Sequence, residues 1–441
     1  MTNKSNDMDS AALGTEIDEL CLEDREFLLS REPIIDVKQE LAGYQLLFRD
    51  PYNYQVGAED PRSVTQHVVD FSTELALRNV IGSSMAFINV DAGILMSDAI
   101  FLLPRQRVIL TIPGSLELTP DLMVLIAKFV TAGYSFAMAD ITAESERSEM
   151  LEPLIEIVKI DSRQLSTAQL LVLRHSFMKK GKKSLVEKID TFDQFERCSK
   201  LGFDFYQGYY FAKSDARNGK KATQLSDHVM RILGLILSGG NNFEIVRSIE
   251  ENAVLKEMLL HLVNTPIFGF RRHIDTLDYV LLVLGHLQLK HWLQVLLYAD
   301  QGRLRGVPCS PLLIMAATRG KMCELLALAI PASIFSNPDV AFTVGVLSLA
   351  DVLFNRELVN IVDQIGESEE VRDALISRSG GYGDLLRLVE MNEQAAIFDT
   401  HQLSQLLERL ELSNETFFNI QKEAVAWGGN IFEHMGNETV R

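Results

Sequence analysis

Between residues 27 and 212, short runs rich in β-branched and aromatic residues alternate with amphipathic stretches, and this alternation limits the folds open to the chain. In stretches such as 120–132 and 166–180, apolar residues recur every three or four positions, which is typical of helices packed on one face. Strands that alternate with helices favour a parallel sheet with crossover connections. Eight strands in fewer than about 200 residues predict a closed (β/α)8-like barrel rather than an open sheet. The predicted strands are 27–36, 44–49, 85–90, 107–112, 135–141, 157–161, 184–189 and 205–212.

The alternation stops at a polar segment, residues 214–224, which lacks an apolar period and is predicted to be a linker. Beyond it, nearly every apolar pattern is helical. The fold class is therefore α/β plus all-α, with a barrel domain over 25–213 and an all-helical domain over 225–441. A chain of 441 residues exceeds the size of one ordinary core, which also favours two domains. Residues 1–24 are polar and acidic, and we expect a flexible tail there.

The charge balance limits the classes of partner. The chain carries 42 basic and 60 acidic residues and a formal net charge of −18. Such a surface opposes non-specific attraction to nucleic acid or to an anionic membrane. No apolar run approaches the roughly 18 residues of a membrane span. The N-terminus lacks the features of a signal peptide. The four cysteines form no CxxC pair. We therefore expect a cytoplasmic protein with no membrane or nucleic-acid partner.

Six segments of the first half carry a family resemblance. They are GYQLLFR (43–49), FINV (87–90), FAMADI (136–141), IVKID (157–161), LVEKI (185–189) and FYQGYYFAK (205–213). In this order they resemble the signature segments of EAL domains, the barrel phosphodiesterases that hydrolyse the bacterial messenger cyclic di-GMP. The resemblance covers about residues 25–213. It implies an active site at the carboxyl ends of the barrel strands.

In that family, carboxylates and an asparagine bind two divalent metal ions that activate water for attack on a phosphodiester. The residues here that match the family's site are Asn89, Asp140, Lys159, Asp161 and Glu187. Three metal-ligand positions differ: they fall at Gln45, Thr111 and Ala139. Divalent cations of this kind need several charged oxygen ligands. The replacements therefore predict that the barrel binds no metal and has no phosphodiesterase activity.

Nucleotide binding without hydrolysis is a second possible function of this pocket. Arg49, which matches the family's phosphate-contacting arginine, and Lys159 favour it. Glu32, at a position where the family commonly has glutamine, and the acidic segment 141–146 oppose it, so binding of cyclic di-GMP is not expected. The vestigial nucleotide pocket predicted by the resemblance comprises Arg49, Asn89, Asp140, Lys159, Asp161 and Glu187.

The second half resembles the HDOD domain, a relative of HD-type phosphohydrolases without their metal-binding His-Asp pair. The resemblance lies in segments 259–285, 310–327 and 341–354 and covers about 225–400. None of the nine histidines is followed by aspartate, so no metal and no cofactor are expected. His286 and His291, five residues apart, could be considered a ligand pair, although ordinary core or surface histidines have the same spacing.

The barrel lacks three of the family's metal ligands, and the helical half lacks a His-Asp pair. The sequence therefore favours a function through surface contacts. The densest basic turn of the helical half is Arg271, Arg272 and His273, a candidate partner surface whose alternative is an ordinary solvated turn. The apolar segments 310–329 and 339–354 are a second candidate, but we expect them to be core. The predicted protein is a catalytically inactive EAL–HDOD signalling adaptor with an unidentified signalling protein as partner, in a cyclic di-GMP-related pathway such as motility, adhesion or biofilm control. A cyclic di-GMP receptor and a residual phosphodiesterase are the alternatives.

Overall fold

The computed structural model describes much of both halves of the chain. The described residues are 28–49, 77, 80–82, 84–163, 165–212, 224–264, 268, 272–298, 310–331, 337–354, 356–393 and 400–436. The predicted tail 1–24 and residues 214–223 of the predicted linker lie outside them, and residue 224 begins a helix.

Eight strands close a barrel in the order of the sequence. They are β1 Leu28–Asp36, β2 Leu41–Arg49, β3 Met85–Asn89, β4 Val108–Ile112, β5 Ser135–Ile141, β6 Ile157–Asp161, β7 Lys183–Glu187 and β8 Phe205–Gln207. The seven strands from β2 to β8 pair in parallel, as expected from the sequence. The expected parallel arrangement is wrong for β1, which is antiparallel to both β2 and β8.

A short turn explains the direction of β1. Residues 37–40 join β1 to β2, and the Asp36 carboxylate accepts backbone N–H groups of Lys38 and Glu40 at 2.8 and 2.9 Å. Gln39 in this turn has a left-handed backbone with φ 62°. Four residues are too few for the crossover that a parallel pair needs, whereas they suffice for a hairpin. Consequently no helix is placed between β1 and β2 to cover their outer face.

Short helices connect the parallel strands. They are α1 Ala92–Met96, α2 Pro120–Thr131, α3 Glu146–Leu151, α4 Thr167–Lys179 and α5 Phe192–Leu201. A Ser or Thr side chain caps the N-terminus of α2, α3, α4 and α5 by accepting a backbone N–H of the first turn. The outward apolar side chains of the strands pack with these helices in one continuous core.

The second half is helical throughout its described part. Its helices are α6 Gln224–Leu237, α7 Asn242–Glu250, α8 Ala253–Val263, α9 Leu277–Leu296, α10 Pro311–Ala329, α11 Pro338–Leu347, α12 Ala350–Phe354, α13 Leu358–Ile365, α14 Glu369–Ser377, α15 Gly380–Glu393, α16 Thr400–Arg409 and α17 Asn414–Gly436. The apolar helices α10 and α11 are buried, as expected for core helices. They approach so closely that a Cβ at Gly345 would lie 2.5 Å from the carbonyl oxygen of Arg319.

The helical half covers the outer face of β1. Arg31 donates to the Thr318 hydroxyl of α10 at 3.2 Å and stacks on the Tyr44 ring, 4.6 Å from its centroid. Arg31, Pro33 and Tyr44 line one side of a cavity whose other side is formed by residues of α10, α15 and α17. The helical half thus takes the position that a barrel helix between β1 and β2 would occupy.

No single helix in the described part of the chain is long and apolar enough to cross a bilayer. One pair, Pro338–Phe354 with Leu358–Ile365, reaches the length and composition only when both members are taken together, and it is bent by 119°.

Candidate functional site

The inside of the barrel contains an apolar layer with polar side chains above it. Six inward side chains pack together at the lower level: Ile34, Phe87, Ile109, Ala137, Ile157 and Leu185. Because side chains alternate across a strand, the next inward position on each parallel strand lies two residues further on, toward the carboxyl end. Those positions hold Asn89, Thr111, Ala139, Lys159 and Glu187, and Gln45 of β2 lies beside Phe87 in the strand register. The predicted site residues on these strands therefore share one end of the barrel.

Lys159 is the centre of a buried network at this end. Its side chain is only 2% exposed, and its Nζ lies 2.7 Å from Oε1 of Glu187 and 2.8 Å from Oε1 of Gln45. The Gln45 amide nitrogen donates in turn to Oδ1 of Asn89 at 3.2 Å and to the carbonyl oxygen of Phe87 at 3.1 Å. The carbonyl oxygen and the amide nitrogen of the Gln45 side chain thus both have hydrogen-bond partners, and the Glu187 carboxylate balances the charge of Lys159.

A second buried pair lies on β1 and β8. The Glu32 carboxylate is buried and accepts the Gln207 amide at 2.6 Å. Burial raises the pKa of Glu32, and this effect outweighs the opposing influence of the Lys188 ammonium and of the Gln207 hydrogen bond. Ionisation of Glu32 in the barrel interior therefore costs folding free energy.

Replacing Glu32 with glutamine should stabilise the protein near neutral pH. Because the folded state raises the pKa of Glu32, it binds the proton more tightly than the unfolded chain, and stability falls as pH rises through that interval. The uncharged side chain of Glu32→Gln removes this loss. We expect a higher urea midpoint for the variant at about pH 8, with the difference shrinking toward about pH 3, where glutamate is protonated in both states. An advantage that persists unchanged at the lower pH would contradict the assignment.

Asp161 is held by its neighbour Arg163. The guanidinium lies 3.1 Å from Oδ2 of Asp161, and the backbone N–H of Arg163 donates to Oδ1 at 2.8 Å. Burial alone would raise the pKa of Asp161, but these hydrogen bonds outweigh it and lower the pKa. Sequence reasoning missed Arg163, although its position two residues after the carboxylate was visible.

Asp140 has a different environment from the inward residues. Its backbone is left-handed, with φ 58°, and its carboxylate accepts the Gly114 N–H at 2.8 Å. A Cβ at residue 114 would lie 2.7 Å from that of Asp140, so this approach requires glycine.

The adjacent inward residue, Ala139, offers only a methyl group. Thr111 is fully buried, and its hydroxyl has no hydrogen-bond partner among the described residues.

The remaining predicted residues are only partly described. Arg49 is the last residue of β2, and its side chain lies outside the described residues, as does Arg271. Arg272 and His273 are exposed before α9, and Nε2 of His273 lies 3.3 Å from Oδ1 of Asp275.

The histidine pair suggested by the sequence does not form. His286 contacts Oδ1 of Asn242 at 2.7 Å, whereas His291 is buried against the Phe342 ring with a centroid separation of 4.0 Å. Five residues along a helix place two side chains on different faces, so His286 and His291 cannot converge on one ion.

Hydrogen bonds join the rim of the barrel to the helical half, through residues that the sequence did not indicate as a site. The Tyr209 hydroxyl lies 2.9 Å from the carbonyl oxygen of Arg31 and 2.7 Å from that of Glu393. The Glu393 carboxylate binds Arg319 through contacts of 2.7 to 3.0 Å, and Arg319 also donates to Ser348 at 2.9 Å. The partners in this network are far apart in the chain, and no local pattern marks them.

Comparison with known proteins shows similarity over most of the chain. An uncharacterized protein of Bacillus subtilis strain 168, YuxH, is 23% identical over 413 residues, which are 92% of this chain and 98% of that protein. The cyclic di-GMP phosphodiesterase CdgJ of Vibrio cholerae serotype O1 is 25% identical over 372 residues, covering 83% of this chain and 85% of CdgJ. Matches of this length include both the barrel and most of the helical half. No protein-family model matches the sequence.

Among solved structures, an EAL domain protein from Listeria monocytogenes EGD-e is similar to this chain. It is 21% identical, with a TM-score of 0.34, and the match covers 42% of this chain and 87% of that protein. The eight-stranded barrel and the helical second half predicted from the sequence are confirmed by the structure.

Proposed function

We propose that this chain is a catalytically inactive EAL–HDOD protein that acts as a signalling adaptor in a cyclic di-GMP-related pathway. The observation that supports this most directly is the set of side chains at the end of the barrel where the EAL resemblance predicts metal ligands. Gln45, Thr111 and Ala139 occupy three of those positions, and none of them carries a charge. Gln45 is already hydrogen-bonded there to Lys159, which is a residue that the family's site shares.

The donor set at this end of the barrel does not fit a pair of divalent metal ions. Gln45 and Thr111 provide neutral oxygens, and Ala139 provides none. The two inward carboxylates, Asp161 and Glu187, are engaged by Arg163 and Lys159. Within the described part of the barrel, no three His, Cys, Asp or Glu side chains bring their ligand atoms close enough to share one ion. Ions of this class require several charged oxygens to replace their hydration shell.

Hydrolysis of cyclic di-GMP by the purified full-length chain should be indistinguishable from buffer. The assay would supply Mg²⁺ or Mn²⁺ and follow the linear dinucleotide by chromatography, with the Vibrio cholerae relative CdgJ as the positive control. Robust turnover by the unmodified chain would overturn the proposal.

The matched variants are the reversions Gln45→Glu, Thr111→Glu and Ala139→Asp. We expect no single reversion to introduce activity, because the ligands of one cage act together. The triple variant tests whether their combined charge is sufficient to hold metal. Its metal content would be measured beside its turnover.

A cyclic di-GMP receptor is the alternative that the same protein sample can test. The buried Glu32 carboxylate and the engagement of Lys159 oppose an anionic ligand in this pocket. Calorimetric titration of the full chain with cyclic di-GMP should therefore give no binding heat. Saturable binding without turnover would show that the protein is a cyclic di-GMP receptor and would contradict the proposed adaptor function.

For the helical half, we propose an HDOD-type module that binds an unidentified signalling protein. The proposed contact surface is the turn of Arg271, Arg272 and His273, since Arg272 and His273 are exposed on a chain with a net charge of −18. An acidic partner surface fits a basic turn on such a protein. The Asp275 carboxylate beside His273 reduces the positive charge of this turn.

A further inference from the structure

Three helices of the second half bring one histidine and two carboxylates together at the edge of the core. His291 of α9, Glu324 of α10 and Asp339 of α11 have their ligand atoms within 4.8 Å of one another. His291 is 5% exposed, while Glu324 and Asp339 are partly exposed. The cluster therefore has a buried imidazole on its inner side and carboxylates that solvent can reach.

The buried imidazole nitrogen lacks a partner that would explain its position. Nε2 of His291 makes no hydrogen bond among the described residues, although it lies 3.5 Å from Oδ1 of Asp339. Stacking on Phe342 holds the ring in this orientation. A ring nitrogen of neutral imidazole binds a metal ion through its lone pair. With its lone pair on Nε2, His291 would share a cation with the Asp339 carboxylate, whose Oδ1 lies 3.5 Å away.

Two lysines lie near the cluster and limit its affinity for a cation. Lys321 donates to Oε2 of Glu324 at 2.9 Å, and Lys290 lies 3.1 Å from the carboxylate of Glu367. Each lysine thus has a carboxylate partner. Glu324 retains its second oxygen, and both Asp339 oxygens are free of these two lysine contacts.

We propose that His291, Glu324 and Asp339 bind one divalent transition-metal ion that joins α9, α10 and α11. One imidazole and two carboxylates are ligands suited to Zn²⁺, and three protein ligands leave a fourth tetrahedral position for water. This inference is independent of the proposed adaptor function, since it concerns a separate site in the helical half. The sequence predicts no bound metal in this half, and the proposal departs from that prediction.

The test uses the full-length chain after chelator treatment. It is incubated with Zn²⁺, freed of unbound ion by gel filtration and analysed for metal content. We expect one equivalent of Zn²⁺ per chain and a rise in melting temperature with Zn²⁺ concentration, because an ion that binds only the folded state stabilises it. Co²⁺ serves as a second probe through its visible absorption bands, whose intensity reports a four-coordinate site.

Variants separate this site from adventitious binding by other histidines. His291→Gln and Asp339→Asn should each weaken Zn²⁺ binding at least about tenfold and abolish the Zn²⁺-dependent rise in melting temperature. The matched control is His273→Gln, which removes an exposed His–Asp pair and should leave both readouts unchanged. Absence of bound Zn²⁺ in the unmodified chain, or equal binding by all variants, would overturn the proposal. Asp339→Asn keeps the size of its side chain, so it remains a valid test if His291→Gln fails to fold.

Discussion

Replacing Arg319 by leucine is expected to destabilise the protein by about 3–5 kcal/mol, the usual effect of removing one partner of a buried ion pair. Arg319 is 4% exposed and donates to both carboxylate oxygens of Glu393. Its guanidinium also lies 3.8 Å from Oε1 of Glu390. Burial raises the pKa of Glu393, and the Arg319 guanidinium is the strongest opposing influence. Without it, the partly buried Glu393 carboxylate would lose its closest cation, while Glu390 would keep its contact with Arg378.

The measurement is the urea midpoint of the full chain followed by circular dichroism. Arg372→Leu is the matched control, because its pair with Asp363 is exposed and should contribute less than about 1 kcal/mol. The double variant Arg319→Leu/Glu393→Leu should recover part of the loss, since both charges are removed. Equal midpoints for Arg319→Leu and Arg372→Leu would show that the buried pair has no special role.

Lys159→Met should produce a loss of similar size, about 3–5 kcal/mol, in the barrel half. The substitution keeps most of the side-chain volume but leaves Glu187 without its cation and the Gln45 carbonyl without its donor. Both groups are buried, so water cannot replace the ammonium without opening the barrel interior.

A double-mutant cycle isolates the contribution of this pair. Glu187→Gln in the Lys159→Met background should recover much of the midpoint, because the uncompensated carboxylate is removed. Lys200→Met is the control, since Lys200 and its partner Glu196 are largely exposed. If Lys159→Met unfolds at the same urea concentration as the control, the network at the end of the barrel does not stabilise the fold.

Local patterns were sufficient to predict most of the barrel. The strands Ser135–Ile141 and Ile157–Asp161 have the predicted bounds. All five residues of the second strand are buried, as are all residues of the first except Ser135 and Asp140. The direction of β1 was not predictable in the same way. Its sequence is typical of a strand, but strand direction depends on the connection, and residues 37–40 were not recognised as a hairpin turn.

The candidate site was only partly accessible to the same reasoning. Inward positions on parallel strands share one rim, so the residues of the vestigial pocket on β3, β6 and β7 could be located from the motifs alone. The contacts that engage them could not: the Gln45–Lys159 hydrogen bond joins residues 114 apart, and Arg319–Glu393 joins residues 74 apart. The sequence pairs His291 only with His286 by spacing, whereas its structural neighbours Glu324 and Asp339 lie on other helices.

The covering of β1 by the helical half has a mechanical consequence. Glu32 points into the barrel, while Arg31 and Pro33, its immediate neighbours in the chain, face α10, α15 and α17. The two environments are separated by a single peptide unit of a pleated strand, about 3.3 Å long. If the helical half moved and tilted β1, the side chain of Glu32 inside the barrel would move with the strand. No change in the segment that connects the two halves would be needed.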